Sequence, residues 1–526
     1  MEHFLENGSG SLKEKVVLLD FGGQYSMLIA RRIREAGVYC EMLPYDTPWE
    51  VIRSHHPKGI ILSGSPASVY QDNAPQCDPV IFDGKIPILG ICYGMHVLTA
   101  NLGGEVKKGS RSEFGRTSFS IEHAKPLFKD TLFADESYCY GWMSHQDEVV
   151  KPPPGFAVLA RSENGAMAAI GDHDRNIYGL QFHPEVLHTP GGTAVLESFL
   201  YEICGCSHTW TPQSFIEDAV AKIRRVVGEN EKVVCALSGG VDSSVVAFLL
   251  DQALGDRAAF IFVDHGLLRL DEAEEVARLY REGLQGEFIH IDAKDRFLAR
   301  LEGVADPEEK RRIIGNEFIE VFKEKALSMG DIAYLAQGTI YPDVIESGSA
   351  YGSAVIKSHH NVGGLPEELG FELIEPLREL FKDEVRLVGK ELGLPDAILK
   401  RQPFPGPGLA VRIIGAVSAE KLDLLKQADA IFRDEIEKSG LKDNLWQFFA
   451  VLTDVQVVGV KGDGRHYGPV VALRAVVSED AMTADWARLP HDLLEKVSAR
   501  ITGEIPDVAR VVYDITSKPP GTIEWE

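Results

Sequence analysis

Short, β-branched apolar runs alternate with amphipathic stretches along most of the chain, and this alternation predicts the architecture. In the first two hundred residues the strand candidates are 16–19, 59–62, 86–90 and 178–182. Helical stretches lie between them, which implies an α/β domain with a mainly parallel sheet. The polar segment 207–212, carrying Ser, His, Thr and Pro, reads as a linker. A second α/β unit begins at 213. It has a strand at 232–237, a helix at 245–254 and a strand at 258–263, a βαβ unit whose ligand end lies at the strand carboxyl ends. The cluster Pro403-Phe404-Pro405-Gly406-Pro407-Gly408 marks a further boundary. Beyond it come a helix at 419–439, β-rich runs at 451–460 and 470–477, and a helix at 490–502. The expected fold class is therefore α/β. Two doubly wound, mainly parallel-sheet domains (15–206 and 213–402) precede a C-terminal α+β domain (403–526), and residues 1–14 read as a disordered tail.

Composition narrows the class. A chain of 526 residues with 44% hydrophobic and 25% charged residues is an ordinary globular protein of several domains. The formal net charge of -25 argues against a broad grip on nucleic acid or on a membrane surface. Seven unevenly spaced cysteines without a Cys-x-x-Cys pair fit reduced thiols in a cytoplasm, and Cys204-Gly205-Cys206 reads as structural.

Two segments carry chemistry. In the first, Ser238-Gly239-Gly240-Val241-Asp242-Ser243-Ser244 stands between a strand and a helix. Such a turn aims backbone N–H groups and the helix dipole at an anion, the glycines permit close approach, and the serines add hydroxyl donors. Gly-x-x-x-x-Gly-Lys-Ser/Thr is absent, so this is not a Walker loop. Asp242 carries the wrong charge to touch phosphate, and is assigned either a magnesium or a helix N-terminal role.

In the second, Gly90-Ile91-Cys92-Tyr93-Gly94 follows an apolar strand and opens a helical stretch, which is the form of a nucleophile elbow. Gln181-Phe182-His183-Pro184-Glu185 supplies a base. In an extended segment His183 and Glu185 point to the same side, so the carboxylate orients the imidazole. Cys92, His183 and Glu185 are the expected triad.

The glycine-rich string resembles the PP-loop of ATP pyrophosphatases, and the Cys and His motifs resemble those of class I glutamine amidotransferases. The resemblance implies an oxyanion turn at Gly64 and Ser65, with Tyr93 beside the nucleophile, and a grip on glutamine at Ser144 and His145. Two positions depart from that family. Ser65 stands where a glycine is usual, and His96 stands where a glutamine is usual. They bear on the turn conformation and on glutamine affinity.

The order of the three parts resembles that of the glutamine-hydrolysing GMP synthetases from Lys15 to Glu526. So do the segments Leu335–Thr339 with Pro342-Asp343, 357–364, 401–408 and 518–526. What this implies is an amidoligase: glutamine yields ammonia, ATP adenylates O2 of XMP, and ammonia displaces AMP at C2. Mg2+ accompanies ATP, and no organic cofactor is expected. The ATP site would comprise Ser238, Gly239, Gly240, Val241, Asp242, Ser243, Ser244 and Lys382, with Asp242 as the metal candidate. XMP would be held by Arg311, Lys518 and Glu524, with the Arg311 segment acting as a mobile lid. His359-His360 looks like a metal pair, but the loop around it suggests backbone contacts. The C-terminal domain would make a homodimer. The rival readings are another PP-loop amidoligase and a nucleotide-binding regulatory relative.

Overall fold

The computed structural model describes residues 14–526 except 84, 125, 130, 134–138, 331, 347–369, 462–463 and 479–482. At 110, 111, 345, 346 and 461 it describes the backbone alone. The tail 1–13 and the segment 357–364 singled out above lie outside the described residues. The described residues form two compact units, one within 14–218 and the other within 219–343 and 370–526.

The first unit is built on a nine-stranded sheet in the order β2-β1-β3-β4-β9-β8-β7-β5-β6. Its strands are β1 (Lys15–Asp20), β2 (Tyr39–Pro44), β3 (Gly59–Leu62), β4 (Ile88–Ile91), β5 (Glu105–Ile121), β6 (Cys139–Lys151), β7 (Ala157–Ser162), β8 (Met167–Asp172) and β9 (Ile177–Leu180). β1, β2, β3, β4 and β9 run parallel. Val16 to Leu19 and Gly59 to Leu62 are buried throughout, which is why they read as unbroken apolar runs. The other four strands form an antiparallel wing. In β6 every second residue is buried from Cys139 to Val149, the pattern of a strand with one face on the core. The expected linker is fastened down. Trp210 is buried, its N–H donates to the Gly37 carbonyl at 2.8 Å, and its ring lies 4.8 Å from that of Tyr39.

The second unit contains a fully parallel five-stranded sheet, ordered β12-β11-β10-β13-β14. Its strands are β10 (Lys232–Leu237), β11 (Ala258–Asp264), β12 (Glu287–Asp292), β13 (Ile332–Ala336) and β14 (Glu372–Ile374). The chain winds outward from β10 to β12, then returns to lay β13 on the other side of β10. That reversal between β10 and β13 is a topological switch point, where such sheets bind ligands at the strand carboxyl ends. A second sheet holds β15 (Gln447–Lys461), β16 (Gly464–Val477), β17 (Asp485–Trp486) and β18 (Arg510–Tyr513), with helices Ala419–Lys438 and His491–Glu504.

One apolar core joins the two sheets. It contains Val234 and Val263 from the parallel sheet, Leu409 and Ile413 after the Pro/Gly cluster, and Phe432, Leu473 and Ile501 beyond it. The Pro/Gly cluster is accordingly a packed turn. Gly408 has φ +63°, a Cβ there would lie 2.3 Å from the Leu267 carbonyl oxygen, and the Leu409 N–H donates to that oxygen at 2.7 Å. Among the described residues, no helix is long and apolar enough to cross a membrane.

Candidate active sites

In the first unit the sharp turn after β4 exposes Cys92. It has φ +54°, a conformation that L-residues rarely adopt and that marks strained functional turns. Both flanking glycines are required by packing. A Cβ on Gly90 would lie 2.5 Å from backbone atoms of Gly94, and a Cβ on Gly94 would lie 2.3 Å from the Leu62 carbonyl oxygen. Cys92 caps helix Tyr93–Asn101, and its N–H donates to the Leu180 carbonyl at 2.7 Å, tying the elbow to β9.

β9 leads into the base. His183 Nδ1 lies 2.7 Å from Glu185 Oε1, and both side chains are buried. The His183 backbone is held at Trp142, whose carbonyl accepts its N–H at 2.9 Å. Thr189 braces the same place, donating to the His183 carbonyl and accepting from the Trp142 N–H. Burial opposes a charged imidazole, yet the Glu185 carboxylate and hydrogen bonds to Cys92 and Glu185 outweigh it. His183 is held well above its ordinary value. An imidazole that keeps its proton beside a sulfur is suited to stabilise a thiolate and then to protonate a leaving nitrogen.

Gly64 closes the site. A Cβ there would lie 3.6 Å from His183 Cε1 and 3.9 Å from Cys92 Cβ. Ser65 is not among the residues of positive φ, so the turn accepts its side chain without left-handed strain, and its Oγ accepts from the Ala67 N–H at 3.3 Å. Ser144 reaches the nucleophile through its carbonyl, 3.8 Å from Cys92 Sγ. Tyr93 is buried with its hydroxyl donating to the Pro75 carbonyl at 2.9 Å, which leaves its backbone for any ligand contact. His145 is a structural residue here. Nε2 meets Glu113 at 3.0 Å and Nδ1 meets the Asp147 carbonyl at 2.9 Å, so both ring nitrogens are engaged.

His96 is also turned inward. It is buried, Nε2 meets Gln181 Oε1 at 2.8 Å, and Gln181 Nε2 lies 3.9 Å from Cys92 Sγ. Gln181 was missed as a site residue, although it opens the motif that supplied the base. Burial pushes His96 down to about 4, against the hydrogen bond that Gln181 Oε1 accepts from it. The neutral ring therefore supports the fold above pH about 6.5, and that support, about 3 kcal/mol, is lost as pH falls toward the folded value. The variant His96→Gln is expected to flatten the acid limb of melting temperature against pH. The limb is not removed, because burial holds His265 at about 4 as well. An unchanged limb would contradict this assignment.

In the second unit the loop after β10 lies at the switch point. Gly239 has φ +74°, and a Cβ there would lie 3.2 Å from Arg401 Nη1. Arg401 donates to the Gly239 carbonyl, another contact that the sequence reading did not assign. The Ser238 and Ser243 hydroxyls lie 3.1 Å apart at the exposed mouth of the loop. The helix begins at Val241, four residues earlier than the apolar pattern implied, so Asp242 lies in its first turn. Val241 is buried and offers only backbone. Ser244 differs from the expectation of a phosphate donor. It is fully buried, and its hydroxyl is taken up by the Gly240 carbonyl and Tyr280, each at 2.7 Å.

Lys382 Nζ meets both Asp242 oxygens, at 2.6 and 2.5 Å, across 140 residues of chain. Gly338 presses against the same helix start, 3.2 Å from Asp242 Cβ by its ideal Cβ, which brings the 335–339 segment to the loop. Among the described residues no group of three or more His, Cys, Asp or Glu could hold a metal ion. Asp242 is a single, partly exposed carboxylate beside the glycine-rich loop, so a hard cation there would take most of its ligands from a bound molecule and water.

The XMP candidates fall in the same unit. Glu524 pairs with Arg412 through two bonds of 3.0 and 2.7 Å and accepts from Gln447 at 2.6 Å. Lys518 exchanges backbone hydrogen bonds with Ala484. Arg311, expected on a mobile lid, lies in a helix. It is the fifth residue of helix Pro307–Ser328, and the neighbouring Lys310 is fully buried. Burial of that lysine pins the segment.

A thiol elbow with its histidine and carboxylate, and a PP-loop at a switch point, define a glutamine amidotransferase joined to an ATP-using unit. Family models agree with this division. "Glutamine amidotransferase class-I" matches residues 17–203, "NAD synthase" matches 213–316, and "GMP synthase C terminal domain" matches 434–525. Across the whole chain, the GMP synthase [glutamine-hydrolyzing] of Carboxydothermus hydrogenoformans is 59% identical over 518 residues, 98% of this chain and 100% of its own. The enzymes of the same description from Caldanaerobacter subterraneus (57%, covering 98% of this chain and 100% of its own) and Caldicellulosiruptor saccharolyticus (58%, covering 98% and 99%) are alike. The chain belongs to the glutamine-hydrolysing GMP synthases.

Proposed function

We propose that the chain makes GMP from XMP by a division of labour between its two sites. At the first, the Cys92 thiolate attacks the glutamine carboxamide carbon, and backbone N–H groups at Gly64, Ser65 and Tyr93 receive the oxyanion. Ser144 lies beside the bound glutamine, and His145 supports that edge. His183, oriented by Glu185, gives its proton to the departing ammonia and later activates the water that releases glutamate. The observation that carries this half is the Glu185–His183 pair at 2.7 Å beside a strained Cys92.

At the second site, backbone of Gly239, Gly240 and Val241 and the hydroxyls of Ser238 and Ser243 hold the phosphates of ATP. Ser244 serves by bracing the loop. Lys382 holds Asp242 ready and shares the phosphate charge. Mg2+ would be held by Asp242 together with pyrophosphate oxygens, and supplies charge neutralisation for the leaving group. Arg311, Lys518 and Glu524 hold XMP so that its O2 can attack the α-phosphate. Pyrophosphate leaves, ammonia adds at C2, and AMP departs with the former O2. The protein works in the cytoplasm on this reading.

A homodimer is proposed through the β15–β16 hairpin. Val458, Val460 and Tyr467 lie exposed on its outer part, an apolar patch that an isologous partner would cover. Sedimentation at the monomer mass would rule the dimer out. The test of function is GMP formation from XMP and Mg-ATP with glutamine or with ammonium. Activity with both is expected, with AMP and pyrophosphate as co-products. Silence with both, from protein that binds ATP, would contradict the assignment.

A further inference from the structure

The ammonium group of Lys310 is fully buried, and its three hydrogen bonds have named partners. Two are the carbonyls of Ala410 and Ile413, at 3.2 and 2.7 Å; the third is the carboxylate of Glu526, at 2.5 Å. The next residue along, Arg311, donates from Nη2 to the main-chain oxygen of Glu526 at 2.6 Å. Glu526 thus binds two consecutive cations, the fourth and fifth residues of helix Pro307–Ser328.

The rest of the tail is fastened elsewhere. Arg474, fully buried, donates to the carbonyls of Thr516, Thr522 and Ile523, and Glu524 is taken by Arg412 and Gln447. None of these contacts reaches the helix that carries Arg311. Glu526 makes that connection. Its charge matters as well, because a buried ammonium stripped of its counter-ion is strongly unfavourable and must withdraw or lose its proton.

We propose that Glu526 is a positioning residue for the XMP site: by neutralising Lys310 and holding Arg311 it sets Arg311 against the tail that bears Lys518 and Glu524. This rests on the reading that Arg311, Lys518 and Glu524 hold XMP.

The experiment is XMP binding by calorimetry and ammonium-dependent steady-state kinetics on the full chain. It compares Glu526→Gln, Glu526→Asp, the double variant Lys310→Met with Glu526→Gln, and Arg311→Met. Glu526→Gln is expected to raise the Kd and KM for XMP about tenfold, with kcat and the KM for ATP changed far less. Glu526→Asp keeps the charge and should fall between it and wild type, which preserves the test if the glutamine variant folds poorly. The double variant removes the uncompensated charge and should recover most of the lost affinity. Unchanged XMP affinity in Glu526→Gln, or a double variant as weak as the single, would overturn the proposal. If Arg311→Met binds XMP like wild type, the underlying reading of the site fails and the proposal falls with it. If only Arg311→Met is weak, that reading stands and the role of Glu526 falls alone.

Discussion

Replacing Cys92 by alanine is expected to abolish GMP formation from glutamine while leaving formation from ammonium close to wild type. The substitution removes the sulfur that forms the thioester, and loss of a covalent nucleophile costs about 10⁴-fold or more. Nothing replaces it. His183 and Glu185 remain paired, and the contact of Ser144 with the nucleophile is through its carbonyl. Alanine fits the elbow sterically and does not disturb Gly90 or Gly94, whose close approaches hold the turn. The synthetase half has its own sheet and its own core, so ammonium supplied from solution should still reach activated XMP. Assays with each nitrogen source on the same preparation decide the point. Loss of both activities from folded protein would refute the division of labour.

Gly239→Ala should give the complementary result. GMP formation is expected to fall about 10²-fold or more with either nitrogen source, while basal glutamine hydrolysis persists. Two causes act together. At φ +74° an L-residue is strained by about 1–2 kcal/mol. The new methyl would also lie 3.2 Å from Arg401 Nη1 and 3.4 Å from Val276, so the loop cannot keep its shape without moving the arginine that grips the Gly239 carbonyl. Relief by rotating the Gly239–Gly240 peptide would turn an N–H away from the phosphates. Isothermal titration with ATP and both synthesis assays would check this. Wild-type synthesis by the variant would show that the loop is not the phosphate cradle.

Much of this organisation was legible in the chain. The parallel strands were plain because strands buried on both faces show as unbroken apolar runs, as at Gly59–Leu62 and at Val233, Val234 and Cys235. The antiparallel wing was not among the strand candidates. β6 alternates buried and more exposed residues, and β5 is largely polar in sequence, so no continuous apolar run announces them. The PP-loop helix looked shorter than it is, since three of the four residues of its first turn, Asp242, Ser243 and Ser244, are polar.

The same limit applies to the sites. The elbow at Cys92 and the His183–Glu185 contact were legible because elbow and extended-strand spacing are local. Gln181 on Cys92, Arg401 on Gly239, and Glu526 on Lys310 and Arg311 are contacts between segments roughly 90 to 215 residues apart, and no local pattern reports such contacts. Ser244 looked like a ligand group and is used by the fold, and His145, open between local structure and ligand contact, has both ring nitrogens engaged by the fold. Whether a polar side chain faces a ligand or the core depends on partners such as Tyr280 and Glu113, which lie far away in sequence.

The central claim is that the second site activates O2 of XMP by adenylation before ammonia arrives. XMP carrying ¹⁸O at the C2 oxygen tests it directly. On this account the labelled oxygen bonds to the α-phosphorus, pyrophosphate leaves unlabelled, and ammonia expels AMP that carries the label. Mass spectrometry of the products should therefore find ¹⁸O in AMP. Label in inorganic phosphate with ADP as co-product would mean attack on the γ-phosphorus and would contradict the account. Label released as water would mean that O2 is never activated by ATP.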